Sequence, residues 1–376
     1  MRDKLLFTAS TCSHILHFHL PYLEYFQKQG WEVHVACGGP VRPVPYADEV
    51  LELPFRKSMK SPRNFRAASL LREKIKKERY KLVSTHTSLA AFFTRLALAG
   101  LRNRPFVVNT VHGYLFDDRT PPLQRELLLS AERWTAPQTD LLLTMNQWDY
   151  ETAVRYRLGR EVIPIPGVGV DFSKLDGPPV SDQNLRMEYG ISDHAFLLLY
   201  AAEFSKRKNQ EVLIRAMERL PEEIVLVLAG DGALREDCRK LAHSLNLEHR
   251  IIFPGYAENM PGWYRTADAV VSASRSEGLP FHIMEAMYMG LPVVVSDVKG
   301  HTDLVRDGVT GLLYPYGDSA ACAGQIMRLI ESPELRKQLG EYARQEAKQY
   351  DLDRVRPVTT EVYESVLNSA AAVGQI

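Results

Sequence analysis

Short apolar runs alternate with stretches of helical periodicity along most of the chain. In the first half, between residues 4 and 167, the runs are KLLFTAS, WEVHVACGG, KLVSTHT, PFVVNTVHG, TDLLLTMN and EVIPIPG. After a turn-rich segment, DFSKLDGPPVSD at 171–182, they are AFLLLYAAE, IVLVLAGDG, RIIFPG, DAVVSAS, PVVVSDVKG and TGLLYP. Strands that are apolar throughout and separated by helices are typical of parallel sheets covered on both faces. The pattern therefore predicts an α/β protein with two doubly wound domains.

The two sets of runs meet in a segment that contains Pro and Gly, at 164–182. We therefore expect two Rossmann-like domains, at 1–170 and 171–351, that face an interdomain cleft where ligands bind. From about 318 the pattern is mostly helical, and we expect the last helix, at about 352–376, to pack back on the first domain. Two domains also suit a chain of 376 residues, which exceeds the usual size of one hydrophobic core.

Composition narrows the class of protein. Lys plus Arg and Asp plus Glu both number 46, so the chain lacks the excess positive charge that would indicate a nucleic-acid partner. The N-terminus lacks the continuous apolar core of a signal peptide, and no run reaches the length of a membrane span. We expect a cytoplasmic protein that touches a membrane only from its surface. The cysteines show no CxxC spacing, which predicts buried thiols and no zinc site; they are Cys12, Cys37, Cys238 and Cys322.

Motifs of other α/β enzymes are missing from the sequence. No G-x-G-x-x-G follows the first strand, as a dinucleotide-binding oxidoreductase requires. The Walker pattern of phosphate-binding loops and the G-x-S-x-G of hydrolases are also missing. The chemistry must therefore be sought in another stretch.

The stretch SEGLPFHIMEAMYMG, at 276–290, places Glu277 and Glu285 on either side of a Gly-Leu-Pro turn. It follows the predicted strand DAVVSAS, and Pro280 suits the first turn of a helix that ends near Gly290. Glu285 then lies about five residues into the helix. Its neighbours are mostly Met and Ala, an apolar setting in which a carboxylate needs a partner.

The start of this helix is a predicted anion site. The first N–H groups of a helix have no partner within it and favour negative charge; here they include Gly278, Leu279 and Phe281. The stretch thus offers a carboxylate that can accept from hydroxyls, then backbone N–H groups that can bind phosphate, then a second carboxylate. A nucleotide sugar presents its sugar hydroxyls, diphosphate and ribose hydroxyls in the same order. The alternative is that Glu277 only favours the helix start through the helix dipole, and that Glu285 is a solvated helix residue.

Several motifs together resemble glycosyltransferase family 4. SEGLPFHIMEAMYMGLPVVVSDVKGHTDLVRDGVTGLLYP contains its Glu-x7-Glu signature, and GVGVDFSKL, EFSKRKNQEVLIRA and LAGDGALREDCRKLA follow its order and spacing. The N-terminal half, from HLPYLEYFQKQGWEVHVA to TVHGYLF, is similar to members that build exopolysaccharide, capsule and lipid-linked oligosaccharide. The resemblance covers nearly the whole chain.

The resemblance implies a GT-B fold and a retaining, metal-independent sugar transfer. The expected donor is a nucleotide-diphosphate sugar, with uridine as the base and a hexose or N-acetylhexosamine as the sugar, held mainly by the C-terminal domain. The expected acceptor is a lipid-linked or growing glycan on the N-terminal domain, and no cofactor is implied. The alternatives are a nucleotide-sugar epimerase of the same fold and a non-catalytic nucleotide-sugar-binding protein of a polysaccharide assembly complex.

The resemblance also implies roles for individual residues. Glu277 would bind hydroxyls of the donor sugar, and Lys208 would neutralise the charge that grows on the diphosphate. His112 would lie beside the transferred sugar, with a structural histidine as the alternative. Glu285 would bind the ribose. The other residues assigned to the donor are Arg207, Gly278, Leu279, Pro280, Phe281, Gly230 and Tyr256.

The chain departs from the family pattern at Glu203, where an Arg is usual and a Glu cannot clamp phosphate. Lys206 and Arg207 are the candidate substitutes, and a solvated basic turn is the alternative. In the first βα loop, TASTCSHILHFHLP, hydroxyls and histidines stand where relatives often have glycines. The residues assigned to the acceptor side are Ser10, Thr11 and His14, while His17 and His19 are equally suited to packing or to solvent.

Residues 55–81 hold eleven Lys or Arg against Glu73 and Glu78, a local net charge of +9. Apolar residues among these bases predict an amphipathic helix that packs partly on the first sheet. The excess charge suits an anionic membrane, where each basic residue near the surface contributes about 1 kcal/mol. We predict peripheral attachment to the inner face of the cell membrane through this segment.

Overall fold

The computed structural model describes residues 2–40, 42–177 and 185–372, and for 369–372 only the backbone. The end of the predicted turn segment, at 178–182, and the last residues of the predicted C-terminal helix, at 373–376, lie outside the described residues. Contacts divide the chain into two compact units. The first comprises Met1–Gly169 and Asp353–Ile376, and the second comprises Val170–Leu352. The domain limits predicted from the sequence, after residues 170 and 351, each lie one residue from these boundaries.

The first unit contains a parallel sheet that has seven strands among the described residues, in the order β3-β2-β1-β4-β5-β6-β7. The strands are β1 (Lys4–Ala9), β2 (Glu32–Cys37), β3 (Glu49–Glu52), β4 (Leu82–His86), β5 (Phe106–Val111), β6 (Leu141–Thr144) and β7 (Glu161–Pro164). The inner strands are buried along nearly their whole length, because helices cover both faces of a parallel sheet.

The sequence pattern did not predict β3. Its sequence, EVLE, is short and has Glu at both ends, and both Glu side chains are exposed. The strand lies at the edge of the sheet, where one side has no neighbour, and it forms by pairing with β2. Because such a strand needs no continuous apolar run, its hydrophobic pattern is weak.

Helices connect the strands of the first unit. They are α1 (Cys12–Phe18), α2 (Leu20–Lys28), α3 (Pro62–Glu78), α4 (Ser88–Leu98), α5 (Pro122–Thr135) and α6 (Gln147–Tyr156). The basic segment forms α3, whose inner face buries Ala67, Leu71 and Ile75 against the sheet and α4. The amphipathic helix that the sequence predicted in this segment is therefore present.

The second unit contains another parallel sheet, with six strands among the described residues, in the order β10-β9-β8-β11-β12-β13. The strands are β8 (Phe196–Ala201), β9 (Ile224–Ala229), β10 (Ile251–Gly255), β11 (Ala269–Ser272), β12 (Val293–Ser296) and β13 (Leu312–Tyr314). The two parallel, doubly wound sheets confirm the predicted α/β fold class.

The helices of the second unit are α7 (Ser173–Asp176), α8 (Leu185–Glu188), α9 (Gln210–Met217), α10 (Arg235–Ser244), α11 (Met260–Thr266), α12 (Phe281–Tyr288), α13 (Ser319–Glu331) and α14 (Pro333–Ala347). Three of them start at a side chain that accepts a hydrogen bond from a backbone N–H of the first turn. These residues are Asn259, Asp318 and Ser332. Such side chains pair N–H groups that the helix itself leaves without a partner.

The last helix, α15 (Leu352–Ala372), returns to the first unit. The Tyr363 hydroxyl lies 2.7 Å from Ser84 Oγ on β4, and the Tyr363 ring packs edge-on against Phe26 of α2. None of the described helices combines the length and the apolar character that a membrane span requires.

A glycine contact joins α14 to the end of α12. Gly290 has a φ of +76°, which is a left-handed conformation that commonly ends a helix. Glycine adopts this conformation at little energetic cost because it has no Cβ. A Cβ at Gly340 would lie 2.1 Å from the Gly290 carbonyl oxygen. The two helices can therefore pack this closely only because residue 340 has no side chain.

We predict that Gly340→Ala lowers the free energy of unfolding by about 1–3 kcal/mol, because the added methyl group must push α14 away from α12. Gly324→Ala is the matched control, since Gly324 is an exposed glycine in α13 where an added Cβ would meet none of the described atoms within 4 Å. The control should raise stability by about 0.5–1 kcal/mol through helix propensity. Urea denaturation checks both values, and equal stability of the two variants would contradict the predicted packing.

Candidate functional site

The Glu-x7-Glu stretch connects β11 to α12 in the second unit. Glu277 lies in the loop and donates its backbone N–H to the Lys299 carbonyl at 3.2 Å. Pro280 was expected in the first helical turn, but it is the N-cap residue, because its backbone is extended with a ψ of 115°. Helix α12 thus begins at Phe281, and Glu285 is its fifth residue, as predicted.

Glu277 is the centre of a charged cluster. Lys208 Nζ lies 2.5 Å from Glu277 Oε1, and Arg207 Nη1 lies 2.8 Å from Glu277 Oε2. Glu277 and Lys208 are buried, whereas the Arg207 side chain is 50% exposed. Both cations lie in the turn before α9, so the fold brings together residues that are about seventy positions apart in the sequence.

Backbone contacts hold the Lys208 turn in place. The Tyr200 hydroxyl donates to the Lys208 carbonyl at 2.9 Å and also lies 2.9 Å from Ser274 Oγ. The Arg275 N–H donates to the Arg207 carbonyl at 2.7 Å. These bonds tie the β8–α9 connection to the segment that follows β11, which carries Glu277.

The cluster keeps Glu277 ionised. Burial by itself favours the neutral acid, but the charges of Lys208 and Arg207 outweigh that effect and hold the Glu277 pKa well below its usual range. With all three groups charged, the cluster carries a net positive charge. It lies just before the start of α12, where the helix dipole adds positive potential.

Glu285 has the opposite electrostatic setting. Its carboxylate is partly buried, and the Tyr264 hydroxyl donates to Oε2 at 2.7 Å. Burial raises the Glu285 pKa, and the Tyr264 hydrogen bond only partly offsets that shift. The sequence indicated that this carboxylate needs a partner, and Tyr264, on α11, is that partner. No motif in the sequence pointed to Tyr264.

Two glycines allow close backbone approach around these side chains. Gly300 has a φ of +82°, and a Cβ added to it would lie 2.7 Å from the Glu277 Cβ atom. Gly230, with a φ of +135°, approaches the Ala202 carbonyl oxygen, which would be 2.2 Å from a Cβ. Gly230 therefore has a packing reason for being glycine, and its donor role stays a prediction. Gly300 was not singled out in the sequence, although VKG after a strand is a turn signal.

Two buried histidines near Glu277 were also missed. His301 has its Nδ1 atom 2.9 Å from the Ser296 carbonyl, and burial lowers its pKa to about 4. The His282 pKa is also well below its usual range, chiefly through burial and then through the Lys208 charge. His282 lies inside the quoted motif, but a lone histidine has no spacing signal. Both side chains are close enough to Glu277 for its charge to influence their titration.

The remaining predicted donor residues are less closely associated with the cluster. Gly278 and Leu279 complete the loop between Glu277 and α12. Tyr256 follows β10, and its side chain is 69% exposed. Lys206 and Glu203 are both exposed on the β8–α9 connection, which Arg207 shares. Of the two candidate substitutes for the usual Arg, only Arg207 has a contact with Glu277 among the described residues.

The predicted residues of the first unit gather at the carboxyl ends of β1, β4 and β5. His112 directly follows β5 and precedes Gly113, whose φ is +108°. Its Nε2 atom lies 3.3 Å from His86 Nδ1, and its ring packs edge-on against His14 at 4.7 Å between centroids. The sequence did not single out His86, because it lies inside an otherwise ordinary strand pattern.

Ser10, Thr11 and His14 lie on the loop and first helix after β1. Thr11 is the N-cap of α1 and accepts from the His14 N–H at 3.3 Å, while the Ser10 N–H donates to Thr87 Oγ1 at 3.0 Å. His19 packs in the interior, whereas His17 is exposed. The structure thus brings His14 beside His112 and gives Thr11 a capping role; contact of these residues with an acceptor stays a prediction.

The two glutamates of the motif should respond to pH in opposite ways. Because the folded-state pKa of Glu277 is lowered, its contribution to stability is fully present above the unfolded value of about 4.3, declines below that value, and is lost only as the pH falls through the folded-state pKa. We predict that Glu277→Gln destabilises the protein by about 3–5 kcal/mol at pH 7, since it leaves buried Lys208 without its counterion.

Glu285→Gln is the matched comparison. Its folded-state pKa is raised, so ionisation costs stability above about pH 4.3, and the amide variant should be as stable as the wild type or more stable at pH 7. Urea denaturation at pH 7.5 and near pH 4 measures both effects. Most of the Glu277→Gln deficit should remain near pH 4, because the Glu277 carboxylate is still ionised there in the folded state, whereas Glu285 should no longer pay a cost of ionisation. Deficits of equal size in the two variants would contradict the assigned charge states.

Comparisons with known proteins agree with this architecture. The family model of glycosyl transferases group 1 matches residues 181–346, and the model of Glycosyltransferase Family 4 matches residues 22–173. A relative from Bacillus subtilis (strain 168), named "Putative glycosyltransferase EpsD", is 34% identical over 374 residues, which cover 98% of each chain.

Two further proteins are similar over much of the chain. UDP-Gal:alpha-D-GlcNAc-diphosphoundecaprenol alpha-1,3-galactosyltransferase from Escherichia coli is 28% identical over 270 residues, 69% of each chain. The crystal structure of Anabaena HepE with UDP and glucose superposes with a TM-score of 0.79 at 20% identity, covering 97% of this chain and 100% of HepE. The matched family models, the relative of nearly equal length and the two Rossmann-like units together show that this chain belongs to the family 4 glycosyltransferases of the GT-B fold.

Proposed function

We propose that the protein is a retaining, metal-independent transferase of a hexose or N-acetylhexosamine. The donor is a UDP-linked sugar, and the acceptor is a lipid-linked or growing glycan in the synthesis of a cell-surface polysaccharide. The observation that carries the proposal is the buried Glu277 carboxylate with Lys208 and Arg207 on its two oxygens, immediately before a helix start. The donor is a substrate, and the proposal includes no cofactor.

The charge of this cluster suits a diphosphate. Two cations and one carboxylate leave a net positive charge in a largely buried place, and an anion there is stabilised more strongly than in water. As the bond between sugar and phosphate breaks, negative charge grows on the leaving diphosphate, so fixed cations stabilise the transition state more than the bound donor. Lys208 and Arg207 are the proposed diphosphate ligands.

The same cluster leaves Glu277 able to accept a hydrogen bond from the donor. An ionised carboxylate has about four acceptor positions on its two oxygens, and each cation uses one. The positions that remain suit hydroxyls of the donor sugar. Lys208 and Arg207 keep Glu277 ionised, which is the form that accepts from hydroxyls.

Glu203 stands at the position where the family usually has an Arg, and Arg207 is the proposed replacement for that Arg. Its guanidinium contacts Glu277, and its side chain is half exposed, so a ligand can reach it without displacing that contact. An Arg also presents several N–H donors in one plane, which matches two phosphate oxygens better than a Lys does.

Glu285 is the proposed ribose ligand. Tyr264 occupies one of its oxygens, so the other can accept from ribose hydroxyls. A water molecule that took the place of the ribose at Glu285 would lie in an apolar setting, which is unfavourable. The carboxylate therefore favours a ligand whose own hydroxyl groups donate to it.

His112 is the proposed neighbour of the transferred sugar, and Ser10, Thr11 and His14 are the proposed acceptor-side residues. No protein nucleophile is included, because the leaving diphosphate itself assists the attack of the acceptor from the same face. Two similarities support the choice of substrates. HepE was crystallised with UDP and glucose, and the E. coli relative is named for transfer of galactose from UDP to a diphosphoundecaprenol-linked sugar.

We predict that UDP and one UDP-sugar raise the thermal midpoint of the protein, because a ligand that binds only the native state stabilises it by RT ln(1 + [L]/Kd). GDP, ADP and NAD should have smaller effects. Arg207→Gln should weaken UDP binding at least about tenfold, since a charged hydrogen bond contributes about 1.5–3 kcal/mol. Glu285→Ala should weaken binding of UDP through its ribose.

Arg215→Gln is the matched control, because Arg215 is an equally exposed arginine on α9 whose contact is an ion pair with Glu211. With the preferred donor, transfer of radiolabelled sugar to undecaprenyl-diphosphate-linked acceptors tests the reaction. Conversion of the donor without acceptor would indicate an epimerase. Binding without turnover on any glycan extract would indicate a non-catalytic nucleotide-sugar protein, and stabilisation by NAD alone would overturn the donor assignment.

The structure also refines the proposed membrane contact. Phe65 is 53% exposed on α3 between the exposed Arg63 and Arg66. In contrast, Arg72 is tied to the Ala97 and Ala99 carbonyls at 2.7 and 2.8 Å, so it is part of the fold. The proposed contact therefore uses the exposed bases of the segment 55–81 and not all eleven.

An apolar face on α5 lies on the other side of α4 from this basic helix. Leu123, Leu127 and Trp134 are 87%, 65% and 64% exposed. Ring contacts lead from Trp134 to Phe92, from Phe92 to Phe93, and from Phe93 to Phe65 on α3. Exposed apolar side chains and exposed bases on one unit are the combination that binds the interface of an anionic bilayer. A lipid-linked acceptor would be found at the same surface.

We predict that the protein co-sediments with phosphatidylglycerol vesicles more than with phosphatidylcholine vesicles at low salt. Arg63→Glu combined with Arg66→Glu should weaken this binding at least about tenfold, because each base contributes about 1 kcal/mol. Lys240→Glu combined with Lys337→Glu makes the same charge change on exposed residues of the second unit and is the control. Equal loss in both double variants, or no loss in either, would contradict attachment by α3.

A further inference from the structure

A cluster of four histidines lies at the carboxyl ends of three neighbouring strands in the first unit. His14 lies on α1, His19 joins α1 to α2, His86 ends β4, and His112 follows β5. One ring nitrogen from each of His14, His19 and His112 lies within 4.8 Å of the other two. The rings of His19 and His86 are 3.8 Å apart between centroids.

Two of these rings have a buried nitrogen without a protein partner. Among the described residues, neither His14 Nε2 nor His19 Nε2 has a hydrogen bond, and both atoms are shielded from solvent. Buried polar atoms normally have a partner, and two unpartnered ring nitrogens on neighbouring members of one cluster are consistent with a bound water or ion. This observation is independent of the spacing of the three rings.

The histidines are in the neutral form that metal ions bind. Burial lowers the pKa of His14 to about 4, with a further effect from the His17 charge. Burial also places the pKa values of His19 and His112 well below their usual range.

Outer hydrogen bonds orient one of the rings. His112 Nε2 contacts His86 Nδ1 at 3.3 Å, and His86 Nε2 contacts Ser84 Oγ at 3.0 Å. Ser84 Oγ in turn lies 2.7 Å from the Tyr363 hydroxyl on α15. Metal-binding histidines commonly have such outer partners, which hold the ring in place.

We propose that His14, His19 and His112 form a binding site for one transition-metal dication of the zinc class. Three imidazoles bind zinc at about 2.0–2.1 Å, which places their nitrogens about 3.4 Å apart in a tetrahedral site. The present spacing requires each ring to move inward by about 1 Å at most. His14 and His112 are only partly buried, and a water or small ligand would complete the four-coordinate site. Hard cations such as Mg²⁺ prefer oxygen ligands and do not fit this site.

A second group of possible ligands in the first unit does not support the same inference. Glu32, His34 and Glu78 also lie close together among the described residues. Lys4 Nζ already lies 3.0 Å from Glu32 and 2.6 Å from Glu78. Its ammonium group satisfies the carboxylates, so this group is an ion-pair network.

The metal site does not depend on the proposed function, but one consequence does. If His112 lies beside the transferred sugar, a metal ion that holds its ring competes with transfer, which itself requires no metal. Zinc would then act as an inhibitor of the enzyme. Binding of the metal can be measured without any donor or acceptor, so failure of one proposal is distinguishable from failure of the other.

Titration of the full-length, untagged protein with Co²⁺ tests the site directly. The wild type should bind one equivalent of Co²⁺ with the visible absorption bands of a tetrahedral site, and Zn²⁺ should displace it. His14→Gln and His19→Gln should each raise the Kd for Co²⁺ at least about tenfold, because each removes a ligand. X-ray absorption of the zinc-loaded wild type should show three nitrogen neighbours from imidazole.

His17→Gln is the matched control, since His17 lies on α1 between the two proposed ligands but is exposed and bonded to the Ser13 carbonyl. It should bind Co²⁺ like the wild type. Circular dichroism and thermal denaturation separate loss of the site from loss of folding, and His14 is the safer variant because it is only partly buried. No saturable binding by the wild type, or unchanged binding in a folded His14→Gln variant, would overturn the proposal.

Discussion

Parallel strands bring all their carboxyl ends to one edge of a sheet, and this constraint locates the charged cluster of the second unit and the histidine cluster of the first. In the first unit, His86 and His112 come from adjacent strands, and α1 follows the strand on the other side of β4. In the second unit, the connections after β8 and β11 bring Lys208 to Glu277. Residues far apart in sequence meet because their strands are neighbours.

Burial acts on the titratable groups of both clusters, but it leaves Glu277 charged and the histidines neutral. In the second unit, burial would neutralise Glu277, but two cations outweigh it and the carboxylate stays charged. In the first unit, the described contacts of the histidines are with neutral groups, so burial prevails and the rings are neutral. A charged cluster suits a phosphate ligand, whereas neutral rings suit hydroxyls or a metal ion. The two units thus present chemically different candidate sites on the same type of sheet.

Glycines and a capping residue support these sites through the geometry of the backbone. Gly300 leaves room for Glu277, and Gly340 lets α14 pack against the end of α12, the helix that carries Glu285. Thr11 caps α1 and so sets the direction in which His14 leaves the sheet. Each supporting residue acts through backbone geometry. For this reason a substitution can weaken the site while leaving every charged side chain in place.

Sequence alone determined the two α/β units, all of their described strands except β3, and the family resemblance, because continuous apolar strands and the Glu-x7-Glu motif are local patterns. It also indicated that Glu285 needs a partner. Only the tertiary structure decided which partner that is, how Lys208 and Arg207 share Glu277, and that His14, His19, His86 and His112 meet. It also revealed β3, which forms only because β2 offers an edge. These features depend on contacts between distant segments, and no spacing along the chain records such contacts.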